Sequence, residues 1–362
     1  MNITDKTNST TKASTKPKTI CKLGLDVHAA SIMVARQVEG MNPQPPQKFA
    51  EEKFLDWVAG LLQKGYQVIS CYEAGPTGYW LHRELERMGA TNYVVCPTRL
   101  DSRGKGVNTD KTDAAELLVR LDRFVAGNKK AFSVVQVPSV EQERKRQLSR
   151  QRQQLRDKRL SLAAQGRMLL LSQGYRLSNS WWKKSLWEPL QERLPEWLVA
   201  SLAVWVRLIE ALNQEIQALE KNIREKAPKS LPVGMGRLTH EILDREVKDW
   251  KQFKNRRQIG SYSGLTGGVS SSGEQHADLS VTKAGNRRLS SCLVECAWRL
   301  LLKQPKYWLV NKWRAVLLNP KVHSRRRKQA IVAFARQLLV DIWKWKTGKI
   351  TPEQLGWVMS KG

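Results

Sequence analysis

Gly106-Val107-Asn108-Thr109-Asp110-Lys111-Thr112-Asp113-Ala114-Ala115-Glu116-Leu117 carries a glycine-rich basic loop into a helix with two aspartates three residues apart. Asn108 or Thr109 is placed to cap that helix, because a short polar side chain accepts a bond from the free N–H groups of the first turn. Residues i and i+3 share a helix face, so Asp110 and Asp113 point the same way. Two like charges there cost on the order of a few tenths of a kcal/mol unless a cation lies between them, and the helix dipole offsets only part of that. Taken alone, the pair reads as an acidic helix start that complements the dipole.

Upstream residues change that reading. Thr19-Ile20-Cys21-Lys22-Leu23-Gly24-Leu25-Asp26-Val27-His28 reads as a half-buried strand ending in an aspartate, and Ser31 to Val38 reads as a second strand after a very short turn. The two make a hairpin with Asp26 at its tip. Gln67-Val68-Ile69-Ser70-Cys71-Tyr72 is an apolar run of the kind found in buried parallel strands, and it runs into Glu73 and the turn Ala74-Gly75-Pro76-Thr77-Gly78. A helix from Tyr79 to Met88 and a third buried strand, Tyr93-Val94-Val95-Cys96, follow, the strand stopped by Pro97. In open α/β sheets, sites form beyond the carboxyl ends of the strands, so Asp26, Glu73, Asp110 and Asp113 are expected to converge. Four carboxylates there make a hard, oxygen-only ligand set suited to Mg²⁺ or Mn²⁺.

A hairpin with a terminal Asp, a Glu after a later strand and Asp-x-x-Asp at a helix start together resemble the RuvC-like (RNase H-like) domain of the DEDD insertion-sequence transposases, the bridge-RNA-guided serine recombinases. Gly-Leu-Asp-Val-His, Glu-Ala-Gly-Pro-Thr-Gly and Asn-Thr-Asp-Lys-Thr-Asp-Ala each stand near that family's wording, in order. The resemblance implies that Asp26, Glu73, Asp110 and Asp113 are the family's metal-binding acids.

Length and charge agree with such a role. At 362 residues the chain has room for two or three domains, and 62 Lys and Arg against 33 Asp and Glu leave a net charge of +29. That excess predicts attraction to polyanions, nucleic acid first and anionic membrane second. No apolar run approaches the roughly 18 residues that span a bilayer and no signal peptide is visible, so the expectation is a cytoplasmic, nucleoid-associated protein with no membrane partner. Cys21, Cys71, Cys96, Cys292 and Cys296 are odd in number; three sit in apolar strands, and the last two lack the companions of a zinc site, so no chemistry is assigned to them.

Along the chain, residues 1–18 read as a disordered basic tail. Residues 19–130 form the α/β domain, in which Phe54 to Leu62 makes a covering helix and the loop Arg99 to Gly106, with Arg103 and Lys105, is either a phosphate contact or a solvated loop. Residues 131–228 read as a helical, coiled-coil segment. Its stretch Glu141 to Leu160, dense in Arg, Lys and Gln, is a solvated face or a track along a phosphate backbone. Trp205, Ile209, Leu212, Ile216, Leu219 and Ile223 step by 4, 3, 4, 3 and 4, a heptad seam that closes an antiparallel hairpin or a dimer. The intervening Trp181, Trp182, Trp187 and Trp197 pack the hairpin end or stack on bases, packing being the simpler reading.

Residues 229–362 read as a mostly α-helical domain. Leu231-Pro232-Val233-Gly234-Met235-Gly236-Arg237 resembles half of a helix-hairpin-helix, whose glycines let backbone N–H groups reach phosphate. The order Tyr262-Ser263-Gly264-Leu265, then Ser270-Ser271-Ser272-Gly273, then Lys283-Ala284-Gly285-Asn286-Arg287-Arg288-Leu289 resembles the C-terminal serine transposase domain of the same family. That resemblance implies Ser272 as nucleophile, with Ser270 and Ser271 as neighbours left open, and phosphate contacts from Lys283, Asn286, Arg287 and Arg288. By its residues alone, a serine in a Ser/Gly-rich loop is ordinarily a turn residue. The chain departs from the family wording at Thr266-Gly267, where proline is usual, and at Ser290, where arginine is usual. Lys321 to Lys328 is a basic start to a helix from Ala330 to Trp345; the basic start suits phosphate contact or an anionic membrane surface, and the apolar side suits domain packing.

The expected function is DNA cutting and rejoining by a transposase, in a homodimer or tetramer guided by a structured noncoding RNA; the RNA, the covalent serine link and the oligomer come from the resemblance. A metal-dependent nuclease or junction resolvase without serine chemistry is the second reading, and a noncatalytic nucleic-acid-binding protein the third.

Overall fold

The chain divides into two units at Val137 and Pro138. The structure, a computed structural model, describes residues 19–97, 109–272, 275–281 and 285–360, with residues 269–272 and 275–280 described by their backbone. The expected basic tail, Arg103, Lys105 and Lys283 lie outside the described residues.

The first unit is built on strands β1 (Ile20–Val27), β2 (Ile32–Val38), β3 (Gln44–Phe49), β4 (Gln67–Glu73) and β5 (Thr91–Val95), with helices α1 (Glu51–Gln63), α2 (Trp80–Arg87) and α3 (Asp110–Val125). The sheet runs β3-β2-β1-β4-β5. β1 and β2 form the expected antiparallel hairpin, with Val27 opposite Ile32, and β1, β4 and β5 run parallel. β3 was not anticipated from the sequence. It contains Pro45 and Pro46, which cannot donate to a ladder, and its place at the sheet edge is where such residues are tolerated.

Alternation sorts β1 between two faces. Cys21, Leu23 and Leu25 point to one side and pack with Phe54 and Val58 of α1 and Leu81 and Leu85 of α2. Full burial of each such side chain contributes about 1.5–3 kcal/mol. The opposite face belongs to α3, whose Leu117, Leu121 and Phe124 meet Ile69, Cys71 and Val95, while Ala114 and Leu118 meet Met33 and Ala35. Gly24 makes that approach feasible, because a Cβ there would collide with the backbone oxygen of Ala114 and the backbone nitrogen of Leu118.

The second unit comprises α4 (Val140–Ser172), α5 (Lys184–Gln191), α6 (Glu196–Glu225), α7 (Arg237–Val247), α8 (Arg256–Tyr262), β6 (Gly267–Ser272), β7 (Gln275–Val281), α9 (Arg287–Lys303), α10 (Trp308–Leu317), α11 (Ser324–Lys346) and α12 (Pro352–Leu355). Arg152 bonds Glu220 and Arg159 bonds Asn213, so seven residues forward on α4 match seven back on α6 and the two helices are antiparallel. Ile209, Ile216 and Ile223 of the heptad seam are buried within the chain. Trp181 closes the hairpin end: it is 1% exposed, donates to the Ala163 carbonyl at 2.8 Å, and lies where any side chain at position 166 would stand, which is why Gly166 is there.

Beyond the hairpin, Leu293, Cys296, Ala297 and Leu300 of α9 pack with Phe334, Leu338 and Leu339 of α11 and Val310 of α10. The segment before α7 is tied to the chain end, since Gln304 donates to the carbonyls of both Val233 and Val358. The serine-rich stretch is an antiparallel hairpin rather than a loop, with Ser270 opposite Ala277, Ser271 opposite His276 and Ser272 opposite Gln275. Glycine and serine, poor strand formers, concealed β6 in the sequence.

Candidate functional site

In the first unit, register and alternation bring the acids to one edge of the sheet. Leu25 pairs with Tyr72 across the parallel β1–β4 ladder, and both are buried toward α1 and α2. The next residues, Asp26 and Glu73, therefore turn to the face that α3 covers. Thr109 caps α3 through a reciprocal box with Thr112, accepting from its backbone N–H at 3.4 Å and donating its own to Thr112 Oγ1 at 2.9 Å. That cap sets Asp110 and Asp113 in the first turn, above the end of β1.

His28, in the turn after β1, joins them. Its Nε2 lies 2.9 Å from Asp26 Oδ2 and 3.5 Å from Asp110 Oδ1, and one ligand atom from each of Asp26, His28 and Asp110 falls within 4.8 Å of the others. Burial pushes the Asp113 carboxyl above its ordinary value, and the charges of Asp26, Glu116 and Asp110 push it further. The hydrogen bond that His28 donates to Asp26 raises its imidazole above the ordinary value. As imidazolium, His28 sits between Asp26 and Asp110 where a cation would; as neutral imidazole it is itself a ligand. The donor set of two carboxylates and one imidazole fits a divalent cation. Glu73 ends β4 half-buried on the same face and is not one of the three grouped ligands.

The structure thus brings Asp26 and Asp110 together, sets Asp113 within their field, and adds His28, which was not named as a ligand from sequence. The signal was present as Asp26-Val27-His28: residues two apart at a strand end lie on one side of the chain.

In the second unit, the Gly-Leu and Gly-Asn segments meet. Gly285 lies so close to Gly264 that a Cβ would strike its backbone, and Asn286 N–H donates to the Tyr262 carbonyl at 3.2 Å. Asn286 Oδ1 caps α9 by accepting from Arg288 and Leu289, while its Nδ2 donates to Glu246 Oε2 at 2.7 Å. Its side chain is therefore engaged inside the fold. Arg287 is exposed at the first position of α9, and Arg288 is half-buried next to it. Ser272 is the last residue of β6.

A second grouping, His240, Glu241 and Asp244, already holds a cation of the protein's own: Lys346 Nζ lies 2.6 Å from His240 Nε2 and 2.9 Å from Asp244 Oδ2. Cys21, Cys71, Cys292 and Cys296 read as inert, burial pushing the Cys296 thiol up to about 12 and raising the other three as well.

The chain thus combines a strongly basic composition with a carboxylate–imidazole cluster beyond a mixed sheet. Residues 229–310 match the family described as Transposase IS116/IS110/IS902 family. The chain is 29% identical over 324 residues to the putative transposase y4rJ of Sinorhizobium fredii, covering 80% of this chain and 79% of that one. It is 32% identical over 242 residues to the putative transposase y4qE of the same organism, covering 66% and 60%. To the transposase for insertion sequence element IS1111A of Coxiella burnetii it is 26% identical over 292 residues, covering 76% and 77%. Family match and relatives agree in kind: what this chain is similar to, over residues 229–310 and over most of its length, are insertion-sequence and putative transposases. No helix among the described residues is long and apolar enough to cross a membrane.

Proposed function

We propose that this protein is a DNA transposase that cuts and rejoins strands at the ends of an insertion sequence, using the acidic site for phosphate chemistry and Ser272 as nucleophile. The observation that carries the reading is the approach of Asp26, His28 and Asp110 at the carboxyl edge of the sheet, in a chain similar over four fifths of its length to a putative transposase. The antiparallel hairpin followed by parallel strands supports an RNase H-like, RuvC-like fold for the first unit. Asp26, Asp110 and His28 would hold Mg²⁺ or Mn²⁺, with Asp113 and Glu73 completing the acidic set. Such an ion, when bound, supplies positive charge to the phosphate oxygens as charge develops on them.

The serine carries the covalent step. Ser272 Oγ attacks phosphorus, an Oγ–P bond forms, the backbone P–O bond breaks, and the departing DNA end keeps a hydroxyl. In rejoining, a DNA hydroxyl attacks the phosphoserine and frees the serine. One phosphoester replaces another throughout, so no external energy source is needed. As imidazolium, His28 would offset one of the two negative charges of Asp26 and Asp110 before an ion binds. A structured noncoding RNA is the proposed guide, and the working form is a dimer or tetramer acting in the cytoplasm at the nucleoid.

The acidic site is tested by Asp110→Asn. Cleavage of element-end DNA with Mg²⁺ is expected to disappear, while nucleic-acid affinity stays equal or rises slightly because a negative charge near phosphate is gone. Cleavage at the wild-type rate would remove Asp110 from the site.

A further inference from the structure

In the second unit, a cleft of about 1080 Å³ opens where α4, α6, α7 and α9 come together. Seven arginines line it against three carboxylates. Three of the arginines are already paired: Arg152 and Arg224 both bind Glu220, and Arg299 binds Glu295 at 3.2 Å and Thr239 at 3.1 Å. The other four, Arg156, Arg237, Arg287 and Arg288, form no ion pair or side-chain hydrogen bond among the described residues. Glu246, the deepest carboxylate, does not compensate them. Its side chain is 1% exposed and is taken up by Arg150 at 3.2 Å and Asn286 at 2.7 Å. Asp157 accepts from Gln153 and Glu295 is held by Arg299.

Four unpaired guanidinium groups from three helices facing one concavity repel one another unless an anion enters. Burial disfavours the charged form of Arg288 and Arg150 adds to that, while Glu246 and Asp157 favour it. The first turn of α7 also lines the cleft, and its N-cap, Gly236, gives no side-chain bond, in contrast to α9, which Asn286 caps. The lining includes no aromatic side chain, so stacking on bases or on a small aromatic ligand is not what it offers. Its volume of about 1080 Å³ lies just above the roughly 300–1,000 Å³ of small-molecule pockets. Planar guanidinium forks from several directions match the repeated oxygens of a phosphodiester chain.

We propose that this cleft binds the phosphodiester backbone of a nucleic-acid strand, with Arg156 on α4 and Arg237 on α7 as contacts alongside Arg287 and Arg288. The proposal rests on the reading of the chain as a nucleic-acid-handling transposase, and its residues are distinct from those of the acidic site. The shared chemistry is phosphate, whether from duplex DNA or from a folded RNA.

The test is fluorescence anisotropy on the full chain with two labelled probes of matched length, a duplex DNA and a hairpin RNA, across a salt series. Arg156→Gln/Arg237→Gln is compared with an equal charge loss elsewhere, Lys183→Gln/Arg193→Gln, and melting curves check that each variant folds. The single substitution Arg156→Gln serves if the pair does not. Each lost phosphate contact lowers the slope of log K against log salt by about 0.7–0.9, so the cleft pair should lower it by about 1.5–2 and weaken binding about tenfold, beyond the control. A loss confined to one probe identifies that nucleic acid as the occupant, and a loss on both assigns the cleft to backbone of either kind. Binding of both probes equal to that of the control pair would overturn the cleft alone. No binding by the wild-type chain to either probe would overturn the transposase reading with it.

Discussion

Asp113 is an acid whose charge the fold disfavours, raised by burial and by Asp26, Glu116 and Asp110. A carboxyl with a raised folded-state pKa destabilises the protein above that pKa, and the penalty disappears as pH falls below the ordinary value. Asp113→Asn is therefore expected to raise the melting temperature of the metal-free protein at neutral pH, with the advantage vanishing near pH 3.8 and below, where the wild-type carboxyl is protonated too. Equal melting temperatures at neutral pH would contradict this. If the site takes Mg²⁺ as proposed, the ion should raise the melting temperature of the wild type, because ligand binding to the folded state alone stabilises it, and Asp113→Asn should reduce that rise. At this scale the sequence was informative where spacing dictates geometry: i and i+3 put Asp110 and Asp113 on one face, and strand ends located Asp26 and Glu73. It did not disclose His28 as a member of the cluster, because the course of a turn, and hence the reach of a ring within it, depends on the tertiary packing around it.

Among the elements, the contact of α3 with β1 sets the site. Gly24→Ala would place a methyl against the backbone of Ala114 and Leu118, atoms that cannot rotate aside, so α3 must shift and Asp110 with it. The expected cost is about 1–3 kcal/mol of stability by urea unfolding, together with a loss of cleavage larger than the stability change explains at permissive temperature. A variant with wild-type stability and cleavage would show that α3 does not need this approach. The strands of the first unit were legible because their apolar runs end at turn residues, and the helical hairpin because of its heptad seam. β3 was hidden by Pro45 and Pro46, which only an edge position accommodates, and β6 by a composition that suits turns. The buried tryptophan Trp181 and Gly166 follow the packing reading, since a ring fills the space a side chain would need.

For the whole molecule, the proposed chemistry needs groups from both units, the acids of the first and the serine of the second. If working chains share these groups in an oligomer, Asp110→Asn and Ser272→Ala should each be inactive alone, and a mixture should recover part of the cleavage. No recovery from mixed, folded variants would restrict each site to its own chain. The net charge of +29 would account for attraction to nucleic acid but not for the proposed reaction, which depends on the nucleophile. Denaturing electrophoresis of the wild-type protein with labelled element-end DNA and Mg²⁺ tests that most directly. The account predicts a protein–DNA band that survives denaturant, is present in Ser271→Ala and is absent in Ser272→Ala; cleavage by the wild type without any such band, or a band unchanged in Ser272→Ala, would contradict it.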